Sequence, residues 1–487
     1  MNGSRTDLDV LIVGAGPVGL FLANECNRRG LRWRLVEARA SQSTHSKALA
    51  IFPRTLEIFD MAGLVGPFLE AANRVTWVSV IARQRQLARI RFTPEDTPYP
   101  FVAMVPQDVT EKLLVEALHR NGGRVEYETK FVSAVQNDGY VTAVLDRNGE
   151  RSELTSAFVV GCDGAHSAVR HLLNLPFVGG QYDASFMLAD VETNETLPAD
   201  EMQLCPSEFG PLAIFPMSAT RRRIVATVAK PDGDVPSLEL VRKMLAQRAP
   251  DGIAALSLKW SSYFRIHHRQ VGGLRVGRMF IAGDAAHIHS PFGGQGMNTG
   301  LQDVWNLAWK IDLVTRGRAS EQLLDTYTLE RRPVIQEVLR TTHLLTRVMG
   351  TASRLAQAMR DTVFPVISRL SAFQHGFVWR LSELGIAYRG SPIIEGSGER
   401  YFDDSIRGGK GITSRFLLLL GDDCNTSTRE AAKRLAESSP DLVEWRTGRL
   451  SGVKLVRPDG YVAYAGDNRN SGAALESVRS VLGRQTS

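Results

Sequence analysis

Leu8-Asp9-Val10-Leu11-Ile12-Val13 is short, apolar and rich in β-branched residues, and predicts a buried parallel strand. A glycine-rich turn follows at 14–19. Val18 to Arg29 then reads as a helix, closed by Gly30 in the usual C-terminal position. Arg32 to Val36 predicts a second strand ending at Glu37, which completes a βαβ opening. Thr110 to Arg120 reads as a helix before an Asn121-Gly122-Gly123 turn, and residues 125–135 and 141–145 alternate as strands. Phe158 to Val160 and Met279 to Ala282 are further short buried strands. From about Phe177 to Ala229 the texture changes to short strands punctuated by Pro, Gly and Asn, which predicts a β-rich insertion. Arg221-Arg222-Arg223 in this stretch reads as a solvated strand edge, and His267-His268, between Arg265 and Arg269, as a solvated strand. Gly296 to Leu313 predicts a long helix, and Leu323 to Leu384 is mostly helical with a core-facing stripe. Gly385 to Gly411 reads as a linker and 412–487 as a small α/β domain. The fold class expected is α/β, in segments 1–176, 177–270, 271–385 and 400–487.

Composition narrows the function. The chain has 487 residues, 43% hydrophobic and 23% charged, a globular balance. The densest apolar run, Phe416 to Leu420, falls far short of the ~20 residues of a membrane helix. The polar start shows no signal-peptide pattern, so a cytoplasmic protein is expected. The net charge of +6 suits an anionic substrate or cofactor, and no nucleic-acid module is recognisable. Cys26, Cys162, Cys205 and Cys424 are too far apart for a C-x-x-C pair, and no metal-ligand spacing is found.

Three segments carry candidate chemistry. Gly14-Ala15-Gly16-Pro17-Val18-Gly19 is a G-x-G-x-x-G pattern between strand and helix. The first glycine allows the tight turn, the second lets a pyrophosphate approach the backbone, and the third lets helix and strand pack closely. Glu37, at the end of the second strand, can accept from both ribose hydroxyls and disfavours a 2′-phosphate, so the dinucleotide is FAD or NAD. The second segment runs from Phe158 through Cys162-Asp163-Gly164-Ala165-His166 to Arg170. The third is Gly277 to His287 with Gly283-Asp284, continuing into Pro291-Phe292-Gly293-Gly294-Gln295-Gly296-Met297-Asn298. There a strand ends in an aspartate, a glycine loop lets a flat ring lie against bare backbone, and a helix N-terminus polarises a ring carbonyl.

In this order and at these distances, the three segments resemble the class A flavoprotein monooxygenases, FAD-dependent aromatic hydroxylases of the p-hydroxybenzoate hydroxylase and phenol hydroxylase type. The resemblance covers about residues 8–345 well. The larger members, which include aromatic polyketide hydroxylases, match more closely. It implies a Rossmann-like FAD-binding domain (GR2-type) formed by 1–176 and 271–385, with an inserted β-sheet substrate domain at 177–270. It also implies a C-terminal thioredoxin-like domain without redox cysteines at 400–487, where Val456-Arg457-Pro458-Asp459-Gly460-Tyr461-Val462 resembles a late strand pair. Carried over by position, Gly14, Gly16, Pro17, Val18, Gly19, Glu37 and Gln107 would bind the adenosine and phosphates. Asp284 would hold the ribityl chain, and Pro291, Gly294, Gly296, Met297 and Asn298 would line the isoalloxazine. Asp163 and Arg170 would serve FAD and NAD(P)H together. Lys47 stands where the family commonly has an arginine, and Gln295 where some relatives have a lysine; lysine keeps the charge but loses the planar fork. The implied reaction takes electrons from NADPH or NADH and passes one oxygen of O2, through a C4a-hydroperoxyflavin, to a phenolic or polycyclic ring. Baeyer–Villiger oxygenation, epoxidation and flavin-dependent reduction are the alternatives. His287 reads as structural. His289 is the candidate substrate contact, grouped with Pro291 and Gly294 at the reacting end. Met187, Leu204, Phe215, Met217 and Phe292 are candidate substrate-lining positions. The resemblance requires no metal, and a monomer or homodimer is expected.

Overall fold

The computed structural model describes residues 6–43, 46–194, 197–290, 293–349, 354–409, 415–448, 450–466 and 471–486. The predicted βαβ opening forms the middle of a larger sheet. Its strands lie in the order Arg275–Val276, Met279–Ile281, Glu150–Gly161, Leu8–Val13, Trp33–Val36, Val125–Glu126. From Met279–Ile281 to Val125–Glu126 neighbouring strands are parallel. Leu8–Val13 is buried along its whole length, which is why it carries no polar alternation. The helix Pro17–Arg28 covers it, wedged between Gln107–Arg120 and Gly296–Thr315.

The second sheet runs His287–Ile288, Ala255–Gln270, Val178–Thr193, Arg221–Val228, Leu212–Pro216, Glu201–Cys205, Trp77–Ala82, Arg85–Arg91. Its last two strands are a hairpin from inside 1–176, joined through a parallel pairing of Glu201–Cys205 with Trp77–Ala82. The sheet expected within 177–270 therefore also draws on residues 77–91, and a single contiguous segment with those bounds separates the hairpin from the sheet it completes. One face of this sheet carries Phe186, Leu188, Met202, Leu204 and Ala213 and meets the small sheet around Ala50 and Met104. The other carries Met187, Ala189, Ile214 and Ile224 under the helix Leu238–Arg248.

The C-terminal sheet has the order Val443–Gly448, Phe416–Gly421, Val453–Val456, Val462–Gly466. Its first pair is parallel and the others antiparallel, and the helices Thr426–Ser438 and Ser471–Thr486 accompany it. The expected linker at 385–411 is packed structure. Tyr388, Ile393 and Ile406 are buried, and Glu395 and Arg400 bridge to Tyr464 and Tyr461. Its Gly and Ser positions mark turns that wrap the last sheet rather than free chain.

The seam between the C-terminal sheet and the rest is charged and dry. Arg457 donates to both oxygens of Glu330 at 2.6 and 2.8 Å and also pairs with Asp459. Lys310 reaches the same Glu330 at 2.8 Å, and Trp305 donates to the Asp459 carbonyl. The side chains of Lys310, Glu330, Arg457 and Asp459 have no solvent exposure. Burial draws the Lys310 pKa down to about 8 against the pull of Glu330. Burial would raise the Glu330 pKa, but Arg457 and Lys310 hold it far below the ordinary range. Glu330→Ala strands buried Lys310 without its counter-ion, leaves Arg457 with Asp459 alone, and should cost about 3–5 kcal/mol. The urea midpoint, followed by the fluorescence of the adjacent Trp305 and Trp309, should fall accordingly, and an unchanged midpoint contradicts the central role of this cluster.

Candidate active site

The glycine turn is built by close approach. Gly14 has φ +99°, and a Cβ there would stand 2.6 Å from the Cys162 carbonyl oxygen. A Cβ at Gly19 would stand 1.9 Å from the carbonyl oxygen of Gly14, whereas one at Gly16 would meet nothing within 4 Å. Two glycines thus press protein against protein and the third leaves backbone facing open space. That space lies at the start of the helix Pro17–Arg28, whose first-turn N–H groups have no partner within the helix.

Glu37 stands beside this turn and accepts from the Ala15 N–H at 2.8 Å. Arg39 grips the same carboxylate through its side chain at 2.9 and 3.1 Å. Burial pushes the Glu37 pKa up, but the bonds from Arg39 and Ala15 outweigh it and keep the group ionised. Gln107 is pinned at both ends: its oxygen accepts from the Ala48 N–H at 3.1 Å and its amide donates to Glu111 at 3.0 Å. Glu111 is itself buried, which lifts its pKa to about 6.

The second and third motifs meet at one corner. Asp163 accepts from the Val169 N–H at 3.2 Å through one oxygen, and its other buried oxygen has no hydrogen bond. Burial raises its pKa. Arg170, 3% exposed, donates to the carbonyls of Ala285 and Ala165 at 3.0 and 2.8 Å, so its side chain clamps one motif to the other. His287 Nε2 lies 2.7 Å from Asp303 Oδ2, which also accepts from the Gly283 N–H at 3.2 Å, while Arg331 donates to Asp303 Oδ1 at 2.8 Å. His287 is thus part of the frame, as its sequence context suggested. Asp284 projects the other way. It is exposed to solvent although protein surrounds it. That crowding raises its pKa, while the charges of His287 and Lys47 act in the opposite direction. Lys47 is likewise exposed, at the rim of the surface around Asp284.

Pro291 and Phe292 lie outside the described residues. Beyond them, Gly294 has φ +64° and sits where a Cβ would touch Ala50 and Phe52 at 3.4 and 3.5 Å. Asn298 spends its side chain inward, donating to the carbonyls of Ala50 and Gly294 and accepting from the Phe52 N–H at 2.9 Å. Gly296 opens the helix Gly296–Thr315 and lies beside the ring of His289, and Met297 is buried in its first turn.

The candidate lining residues divide between the two faces of the inserted sheet. Leu204, Phe215 and Met217 belong to the cluster that includes Ala50 and Phe52 beside the glycine loop. Met187 does not: strand alternation sends it to the opposite face, under Leu238–Arg248, where it is plain core. The arginine run is also corrected. Arg222 and Arg223 are each 1% exposed. Arg223 pairs with Asp190 at 2.7 and 2.9 Å and donates to the carbonyls of Lys47 and Ala48 at 3.0 Å, tying the inserted sheet to the segment that carries Lys47. His267 and His268 are half-buried rather than solvated, and the ring of His268 lies 5.5 Å from that of His343. Arg39 and Glu111 were not singled out from sequence although their partners, Glu37 and Gln107, are near in the chain, whereas the Asp190–Arg223 pair spans 33 residues and is hidden within a charge run.

The residues present fit a flavin dinucleotide: bare backbone at Gly16, an ionised Glu37, an unbonded oxygen on Asp163, and an accessible Asp284 with no hydrogen bond among the described residues. The fold and site thus define a dinucleotide-binding protein with a second, glycine-lined place for a flat ring. The FAD binding domain family matches residues 7–342, and the chain belongs to that family, as an FAD-dependent aromatic monooxygenase. It is 37% identical over 405 residues to the 6-methylpretetramide 4-monooxygenase of Streptomyces rimosus, covering 80% of this chain and 72% of that one. It is 31% identical over 469 residues to a rifampicin monooxygenase of Streptomyces venezuelae, covering 95% and 96%. Among solved structures it resembles the anhydrotetracycline hydroxylase OxyS of Streptomyces rimosus, with TM-score 0.79, 28% identity, and 98% and 99% of the two chains covered.

If Asp284 holds the ribityl chain as the family resemblance implies, Asp284→Ala should weaken FAD binding by about 1.5–3 kcal/mol. Flavin fluorescence titration of the folded variant measures this, and an unchanged dissociation constant removes Asp284 from the cofactor site.

Proposed function

We propose that the protein hydroxylates a phenolic or polycyclic aromatic substrate, with NADPH or NADH as electron donor and O2 as oxygen source. The observation that carries this reading is the continuity of one apolar cluster. It runs from Ala50 and Phe52, against Gly294, to Phe215, Met217, Trp260 and Phe264 on the inserted sheet, with Phe373 and Phe377 packed on it. An apolar wall of this kind beside the glycine loop would exclude water and favour a flat ring. The names of the relatives, with tetracycline-type, rifampicin and chlorophenol substrates, support the same class.

Bound FAD supplies hydride acceptance and oxygen activation, chemistry that side chains lack. The protein binds, orients and controls protons. Glu37 would take the adenosine ribose, Gln107 the phosphates and Asp284 the ribityl chain. Asp163 would serve the junction of flavin and nicotinamide, and Gly294, Gly296, Met297 and Asn298 would flank the ring. Lys47, at the rim, would meet the flavin or nicotinamide in one position only. His289 Nδ1 faces the Ser290 carbonyl at 3.1 Å, which makes Nδ1–H the donor and leaves buried Nε2 a bare acceptor. Burial and the neighbouring His287 lower the His289 pKa to about 4. At neutral pH it would therefore accept a hydrogen bond from a phenol without taking the proton.

Segment 400–487 fits a thioredoxin-like domain without redox cysteines. Its strand order and directions support this, and its single cysteine, Cys424, is buried with its Sγ on the Gly452 carbonyl. No helix among the described residues is long and apolar enough to cross a membrane. A cytoplasmic monomer or homodimer, with NAD(P)H at hand, fits the reading.

Phenols and polycyclic quinones should include compounds that stimulate NAD(P)H oxidation and O2 uptake and emerge with one added hydroxyl oxygen. A product that gains hydrogen but no oxygen, or a lactone by NMR, overturns this proposal. In anaerobic mixing, the true substrate should accelerate flavin reduction by about tenfold or more, because it favours one flavin position over another. Lys47→Ala should remove most of that acceleration. Equal rates with and without substrate exclude the gating, and an unaffected Lys47→Ala makes Lys47 a surface lysine.

A further inference from the structure

Glu383 lies just beyond the helix Ser371–Leu381 and is used by none of the roles above. Its backbone has φ +61°, a position at a helix C-terminus that ordinarily belongs to glycine. A glutamate persists there only where its side chain is held, and this one is 2% exposed. Gln302, from the helix Gly296–Thr315, donates its amide to Glu383 Oε2, and the amide of Gln295 also faces the carboxyl. Gln295 is the residue before that helix, at the end of the glycine loop.

The hydrogen-bond inventory of this pocket is one donor short. Glu383 Oε1 and Gln302 Oε1 are both buried acceptors with no hydrogen bond. A proton on the carboxyl supplies the missing donor. The charged groups around it do not replace that proton. Arg331 and Asp303 face the carboxyl, but they are bonded to each other at 2.8 Å; the other Arg331 bonds go to the Thr299 carbonyl and Tyr388, and none reaches Glu383. Asp303 also holds His287. Arg54 bonds the neighbouring Ser382 carbonyl through its backbone N–H and directs its terminal guanidinium nitrogens to Glu57 and the Asp459 carbonyl.

We propose that Glu383 is a positioning residue for the flavin loop: in its neutral form it ties Gln295 and Gln302 to the end of the Ser371–Leu381 helix and so fixes the helix N-terminus that faces the flavin. This rests on the FAD reading of the site. Burial raises the carboxyl pKa from 4.5 to about 8. The sign follows from the neutral form being the bonded one. Relative to the unfolded chain, the contribution of this group is full below the ordinary carboxyl pKa and lost as pH rises through about 8. Ionisation puts an uncompensated negative charge behind the glycine loop, and FAD affinity falls with it.

The test is the FAD dissociation constant of the full chain, by flavin fluorescence, from pH 6.5 to 9.5 for the native protein, Glu383→Gln and Glu383→Ala, with near-ultraviolet circular dichroism to confirm folding. The native protein should lose about five- to tenfold in affinity between about pH 7 and 9, a loss the size of one ordinary hydrogen bond. Glu383→Gln, neutral at every pH, should keep the pH 7 affinity and flatten the profile. Glu383→Ala should bind about tenfold more weakly throughout. A native protein that binds no FAD at any pH overturns the functional reading itself. If it binds FAD and Glu383→Gln retains the native pH profile, the positioning role is excluded. Should Glu383→Ala fail to fold, the glutamine variant still decides the outcome.

Discussion

Asp303 holds the cofactor-facing half of the molecule together. It is fully buried and accepts from the Gly283 N–H, pairs with His287 and takes the Arg331 guanidinium, so one carboxylate joins the Gly-Asp turn, the following short strand and two long helices. Burial alone would raise its pKa, but the Arg331 and His287 charges keep it low and the carboxylate ionised. The glycines around it make the geometry possible. A Cβ at Gly300 would stand 2.7 Å from Val18 and 3.0 Å from the Cα of Gly283, so first motif, third motif and long helix meet at backbone distance. Asp303 and Arg331 hold this corner, and Asp284 beside it is exposed, with no hydrogen bond among the described residues.

The C-terminal segment depends on the same economy of charge. Trp309, Leu313 and Leu323 belong to the core of its sheet, so the apolar interior is shared across the boundary. The Glu330–Arg457–Asp459–Lys310 cluster then makes the seam specific, since a buried charge tolerates only its own partners. A segment joined in this way is no appended module. The Gly385–Gly411 stretch, bridged to Tyr461 and Tyr464, fastens it further.

What the sequence reveals is what short range determines. The Gly14–Gly19 turn, Glu37 and the Gly283-Asp284 corner were legible because each is fixed by neighbours along the chain or by a strand end. Three readings failed for one physical reason: the deciding partner lies far away in sequence. Arg222 and Arg223 look like a solvated edge until Asp190 and the Lys47–Ala48 carbonyls are brought to Arg223. Met187 looks like a lining residue because alternation gives two faces but not which of them meets the flavin domain. The hairpin Trp77–Ala82 and Arg85–Arg91 reads as part of the first domain until the parallel pairing with Glu201–Cys205 claims it. Glu383 offers no sequence signal at all, since a glutamate after a helix is ordinarily a surface residue.

Satisfied and unsatisfied polar atoms divide the molecule by purpose. Asp303, Arg331, Glu330, Arg457 and Asp459 leave no buried side-chain atom without a hydrogen bond, although burying them is what costs most. Asp163, His289, Glu111 and Glu383 each leave one. Each of these four stands on the path from the dinucleotide turn to the glycine loop or directly behind it. A buried unpaired acceptor is destabilising in an isolated protein and is kept where a ligand or a proton completes it. On the proposed function, cofactor or substrate would complete Asp163 and His289. For Glu383, whose pKa burial raises to about 8, the missing donor is a proton on the carboxyl itself, whereas Glu111, raised to about 6, gains that proton only in mild acid. The Asp303–Arg331 and Glu330–Arg457–Asp459 parts of the frame are therefore built from charges that pair with one another, while these four groups keep an acceptor waiting. That division lets one rigid scaffold bind an anionic dinucleotide at one end and shelter a neutral aromatic ring at the other.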